Sequence, residues 1–135
     1  MILRDTILIM EEGNTLSNGL QSRIRELGYF SIRVGKSDGL VPLLNCRDRV
    51  GAFLFVDEAH KVLGKSCMEL KILKAISYGT PVLFSTAKND PEKEKQVRHL
   101  GLFYYHTADT GLDDLAMALG CAVRKSVMTS MFLMH

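Results

Sequence analysis

Two kinds of stretch alternate along the chain. Short apolar runs recur at Ile7–Met10, Ala52–Val56, Pro81–Ser85 and Leu102–Tyr105, and Tyr29–Val34 alternates weakly. Runs of this length bounded by turn residues predict strands, and Pro81 is tolerated as the first residue of one. Between them, apolar residues recur at helical spacing. The stripes are Leu16, Leu20, Ile24 and Leu27; Met68, Ile72, Leu73 and Ile76; and Leu112, Leu115, Ala116, Leu119, Ala122 and Val123. Gly28 and Gly79 close the first two helices, and Asn14 or Thr15 can cap the first. Leu40, Leu43 and Leu44 predict a short helix starting near Pro42. Asp90-Pro91 opens a polar helix over Glu92–His99, with an acid at the N-cap and proline at the first helical position.

Five strands alternating with five helices through short loops predict parallel pairing, right-handed crossovers and helices on both faces. The expected fold is α/β, a doubly wound five-stranded parallel sheet, in one domain over residues 1–127. Residues 128–135 form a Met-rich tail (Met128, Met131, Met134) that can extend the last helix or pack against a second copy.

Composition narrows the picture. A chain of 135 residues with 47% hydrophobic content suits one domain with its own core. A net charge of +2 without any Lys/Arg block argues against a nucleic-acid partner. No apolar run is long enough to span a bilayer and no signal-peptide layout opens the chain, so a soluble, cytoplasmic protein is expected. Cys46, Cys67 and Cys121 lack metal-ligand spacing and are expected to be reduced, mostly buried thiols.

In an open parallel sheet, chemistry collects beyond the carboxyl ends of the strands. Here three predicted strands end in Glu11 and Glu12, in Asp57, and in Ser85 and Thr86. Three converging carboxylates repel one another, and Mg²⁺ is the hard cation that relieves such a cluster. A carboxylate beside Mg²⁺ can attack a phosphoryl donor to form an aspartyl-phosphate, with Thr86 (or Ser85) bonding the new oxygens. Each residue also has a plainer reading. Asp57 can be a local cap, Glu11 and Glu12 solvated loop residues, and Thr86 a hydroxyl bonded to backbone. His60 has no evident partner and receives no role.

In this order of residues the chain resembles the receiver domain of bacterial response regulators, from Ile7 to about Lys125. Leu8-Ile-Met-Glu-Glu is similar to the family's first strand and acidic pair, and Phe53-Leu-Phe-Val-Asp57 to its phosphoacceptor strand. Pro81-Val-Leu-Phe-Ser-Thr-Ala87 is similar to its fourth strand, which carries a switch threonine. Leu102-Phe-Tyr-Tyr-His-Thr stands where an aromatic and then a Lys-Pro pair are usual. The resemblance implies a flavodoxin-like sheet of strand order 2-1-3-4-5. It implies Asp57 as phosphoacceptor, Mg²⁺ held by Glu12, Asp57 and the Ala59 carbonyl with Glu11 acting through water, and Thr86, Phe103 and His106 as phosphate-binding and switch residues. It further implies a signalling switch rather than an enzyme. A histidine kinase or phosphotransfer protein would supply phosphate, and a target protein or second copy would bind at the face of the fourth helix, fifth strand and fifth helix.

Glu12 replaces the family's aspartate, His106-Thr107 its Lys-Pro pair, and Glu58-Ala-His-Lys its Met-Pro after the acceptor. These substitutions favour an alternative, a pseudo-receiver serving as an interaction module without phosphate control. A flavin site fits less well, because acids in the first loop would repel an FMN phosphate. No Gly-x-Ser-x-Gly elbow points to a hydrolase.

Overall fold

The computed structural model describes the backbone of residues 4–35, 47–57, 63–77 and 79–133. Strands β1 (Thr6–Met10), β2 (Phe30–Val34), β3 (Val50–Asp57), β4 (Val82–Thr86) and β5 (Tyr104–Thr107) form one sheet in the order β2-β1-β3-β4-β5, parallel throughout. The described helices are α1 (Thr15–Glu26), α2 (Leu63–Ser77), α3 (Pro91–Arg98) and α4 (Leu112–Leu133). The helix expected near Pro42 lies outside the described residues.

Each sheet face carries its own core. Ile7, Ile9, Ala52, Leu54 and Leu83 pack with Leu20 and Ile24 of α1 and with Leu115, Leu119, Ala122 and Val123 of α4. Leu8, Phe53, Phe55 and Phe84 pack on the other face with Leu70 and Leu73 of α2 and Val97 of α3. Alternation along the strands produces this division, since successive side chains point to opposite faces. β3 is buried along its whole length, which accounts for an apolar run without polar alternation.

Gly51 marks a shift of register on β3. Thr6 pairs with Val50 but Ile7 with Ala52, which leaves Gly51 as the extra residue of a bulge. A Cβ there would lie 2.5 Å from the Arg4 carbonyl oxygen and 3.1 Å from a Val123 methyl. Only glycine permits this approach of the chain's first described residues to the centre of the sheet.

Three expectations are corrected. Along α2, Leu70 and Leu73 are buried and Ile76 packs against the same core, whereas Met68 and Ile72 are exposed, so only half of the expected stripe faces inward. β5 begins at Tyr104 and extends to Thr107, two residues beyond the predicted run at its C-terminal end. Cys121 is exposed rather than buried. α4 carries helical backbone through the first part of the Met-rich segment, as far as Leu133. No helix among the described residues is long and apolar enough to cross a membrane.

Candidate functional site

The carboxyl ends of β3, β4 and β5 place Asp57, Thr86 and Thr107 side by side in register. Two residues earlier on the same face, Phe55, Phe84 and Tyr105 form a row of stacked rings, with centroids 5.7 and 5.5 Å apart. This aromatic floor is buried, and each stacked pair adds about 0.5–1.5 kcal/mol beyond its buried area. Asp57 therefore emerges at a buried strand end, with only 4% of its surface exposed.

A buried carboxylate needs a countercharge and hydrogen bonds. Lys93, from the first turn of α3, places its Nζ 2.7 Å from Asp57 Oδ2, and the two side chains are 11% and 1% exposed. The Thr86 hydroxyl lies 3.2 Å from the same oxygen and 3.2 Å from the Lys88 carbonyl, so its single proton is shared between two acceptors. Asp90 positions α3 as the sequence predicts, its Oδ1 accepting from the Glu92 N–H at 3.0 Å with Pro91 at the first helical position. A lysine in a helix's first turn opposes the macrodipole, so local helix preference does not explain Lys93. Its partner lies on the sheet. The sequence reading missed this residue because it stands among Glu92, Glu94 and Lys95 and looks like an ordinary solvated charge.

The two acids after β1 take separate paths. Glu11 is buried, and its two carboxylate oxygens accept from the Leu16 and Ser17 N–H groups at 3.0 and 3.1 Å. It thus caps α1 in place of Asn14, whose side chain makes no cap bond. Arg33 Nη1 holds the loop between them by donating to the Glu11 and Gly13 carbonyls at 2.7 and 3.0 Å. Glu12 is exposed. Ala59 lies outside the described residues.

Of the residues expected at a Mg²⁺ site, Glu11 and Asp57 have partners within the chain. Glu11 is committed to the N-terminus of α1, and Asp57 Oδ2 holds an ammonium. Among the described residues no group of three His, Cys, Asp or Glu side chains could hold a metal ion.

β5 turns two expected residues away from Asp57. His106 pairs in register with Ser85, which follows Phe84 and precedes Thr86, so both point to the opposite sheet face. There His106 Nδ1 lies 2.8 Å from Ser85 Oγ and Nε2 lies 2.9 Å from the Gly111 carbonyl. A carbonyl only accepts, so Nε2 carries the proton and Nδ1 accepts from Ser85 in the neutral ring. Phe103 packs against the α1/α4 core, with the Lys125 ammonium 5.5 Å from its ring centre. The aromatic on the Asp57 face is Tyr105 instead. Its hydroxyl is buried without a hydrogen-bond partner among the described residues, and the Arg98 guanidinium lies 5.4 Å from its ring centre. Burial, followed by the negative charges of Glu94, Asp57 and Asp90, pushes its pKa up, while Arg98 acts in the opposite direction.

The fold has counterparts among solved structures. A response regulator receiver domain protein from Clostridium thermocellum superposes with a TM-score of 0.76 at 17% identity, covering 92% of this chain and 98% of that one. A response regulator from Thermotoga maritima gives 0.74 at 13%, covering 90% and 99%. A CheY-like receiver domain protein from Methanospirillum hungatei JF-1 gives 0.72 at 12%, covering 96% and 99%. The fold is that of a response regulator receiver domain. No family model matches the sequence, and no curated protein does. The receiver fold is thus carried here by a sequence far from those of its structural counterparts, with a lysine from α3 at Asp57 and a histidine turned away from it.

Proposed function

We propose that the chain is the receiver module of a two-component phosphorelay, with Asp57 accepting a phosphoryl group from the phosphohistidine of a kinase or phosphotransfer protein. A carboxylate oxygen of Asp57 attacks phosphorus, the P–N bond breaks, and the imidazole leaves with the bonding pair. The observation that carries this reading is the grouping of a lysine ammonium and the Thr86 hydroxyl on one oxygen of a carboxylate at a strand end. Both can follow charge from the carboxylate to phosphoryl oxygens. Output would pass to a protein target or a second copy through the face formed by α3, β5 and α4, as a shift between packed arrangements of one fold.

Intact-mass spectrometry after incubation with acetyl phosphate, and with a phosphorylated histidine kinase, tests this. A single phosphoryl adduct on the native protein that is absent from Asp57→Asn supports the assignment. An adduct that persists in Asp57→Asn removes it.

A second reading is favoured by Glu11, whose capping of α1 withdraws it from the acidic cluster. On that reading the chain is a pseudo-receiver, an interaction module in which Asp57 only anchors α3. Failure of both donors to label a cooperatively folded protein would support it.

A further inference from the structure

We propose that Lys93 makes the charge on Asp57 a latch for α3. The helix is held against the sheet while Asp57 is a carboxylate, is loosened when that charge is removed, and shifts with Lys93 when the charge moves outward onto phosphoryl oxygens. Lys93 serves here as a positioning residue. The signalling part of this inference rests on the reading of Asp57 above, whereas the latch itself does not require phosphoryl transfer.

Three observations lead to it. The ion pair is largely buried, at 2.7 Å with side chains 11% and 1% exposed, so removing either partner leaves a costly charge behind. The cation is carried by a helix rather than by the sheet. α3 is only eight residues long, and Val97 is its one fully buried side chain. A helix of that length has little intrinsic stability, so its position depends on a few tertiary contacts. Lys93 makes a polar one, reaching from the first turn of α3 to the end of β3.

Tyr105 lies beside the same helix. Its ring is stacked on Phe84 and carries Arg98 of α3 over its face. Movement of α3 would therefore change two contacts together, Lys93 at its first turn and Arg98 at its last. Among the described residues, the other acids whose charge reaches Tyr105 are Glu94 and Asp90, on or beside the same helix, so neither tethers α3 to the sheet as Asp57 does.

The test is amide hydrogen exchange over residues 91–98 in the native protein, Asp57→Asn, Lys93→Met and the double variant. Asparagine keeps the shape of Asp57, removes its charge and leaves one oxygen to accept. The latch predicts that exchange in α3 quickens by about tenfold or more in each single variant, the factor that ~1.4 kcal/mol represents. It also predicts that the double variant is no faster than the singles, because each removes the same interaction. If Lys93→Met fails to fold, Lys93→Gln takes its place. Unchanged α3 exchange in Asp57→Asn overturns the proposal, as do effects of the two substitutions that simply add. Acetyl phosphate labelling is read in parallel. A protein that shows the coupling but takes no phosphate loses only the phosphoacceptor reading. One that takes phosphate without any change in α3 loses only the latch.

Discussion

His106 Nδ1 and Ser85 Oγ lie 2.8 Å apart on the sheet face turned away from Asp57. The contact follows from register, since both residues stand one position from the Asp57–Thr86–Thr107 row and strand neighbours alternate faces. His106 also donates to the Gly111 carbonyl, so the ring ties β4 to the turn that precedes α4. On sequence order alone, His106→Lys is expected to strengthen a phospho-response. The geometry adds a cost in stability to that change.

A lysine at position 106 would bury an ammonium where His106 is now 1% exposed, against the α1/α4 side of the sheet. His106→Lys is expected to lower stability by about 3 kcal/mol or more, the order seen when a buried charge lacks a partner. Urea denaturation would show this, with His106→Gln clearly milder because the amide can bond both Ser85 and Gly111. A His106→Lys protein as stable as the native one would place residue 106 outside the core.

Glu11 is expected to matter for α1 rather than for a metal. Replacing it by alanine leaves the Leu16 and Ser17 N–H groups without their acceptor, and loss of such a cap costs roughly 0.5–2 kcal/mol. The Glu11→Ala protein should unfold at lower denaturant, and Asp57 labelling measured well below the unfolding midpoint should be unchanged. A selective loss of labelling with no loss of stability would return Glu11 to the acidic cluster.

Much of the architecture was legible in the apolar runs, because five of them alternate with helical stripes and each strand's burial follows from that order. What escaped was set by register and by tertiary partners. The end of β5 is decided by pairing of Tyr104–Thr107 with Leu83–Thr86, and a two-residue displacement exchanges Phe103 for Tyr105 on the Asp57 face. Phe103 then precedes the strand and packs on the other core, so strand alternation no longer governs it. Lys93 was invisible for another reason. Its neighbours in sequence are all charged, and its partner is 36 residues away. The one local hint was a cation in the first turn of a helix otherwise started by acids.

Gly51 offers a test of how β3 is seated. A methyl group there meets the Arg4 carbonyl oxygen at 2.5 Å, backbone that cannot rotate aside. Gly51→Ala should therefore cost about 1–3 kcal/mol, the range for overpacking a filled core. Gly19→Ala meets a Leu112 methyl at 2.6 Å instead, the far end of a flexible side chain, and should cost less. Denaturation of the two variants side by side checks the order. Equal or reversed losses would mean that the first described residues do not lie over β3 as described.

Tyr105 supplies a pH-dependent prediction. Burial and the nearby Glu94, Asp57 and Asp90 charges hold its phenol protonated to higher pH than in an unfolded chain, where it ionises near pH 10. The folded state thus keeps a proton that the unfolded state releases. The contribution is fully present below about pH 10 and is lost as pH rises through the raised folded value. Tyr105→Phe removes that group from both states, so the variant's stability should fall less steeply than the native protein's at alkaline pH. At neutral pH the same change also deletes a buried hydroxyl that has no partner among the described residues. Because an unsatisfied buried group costs about 1–3 kcal/mol, the variant should be no less stable than the native protein there. Denaturant midpoints at neutral pH and above pH 10 test both halves. Parallel losses in the two proteins would show that Tyr105 ionises as freely when folded as when unfolded, and so does not sit on the buried floor beneath Asp57.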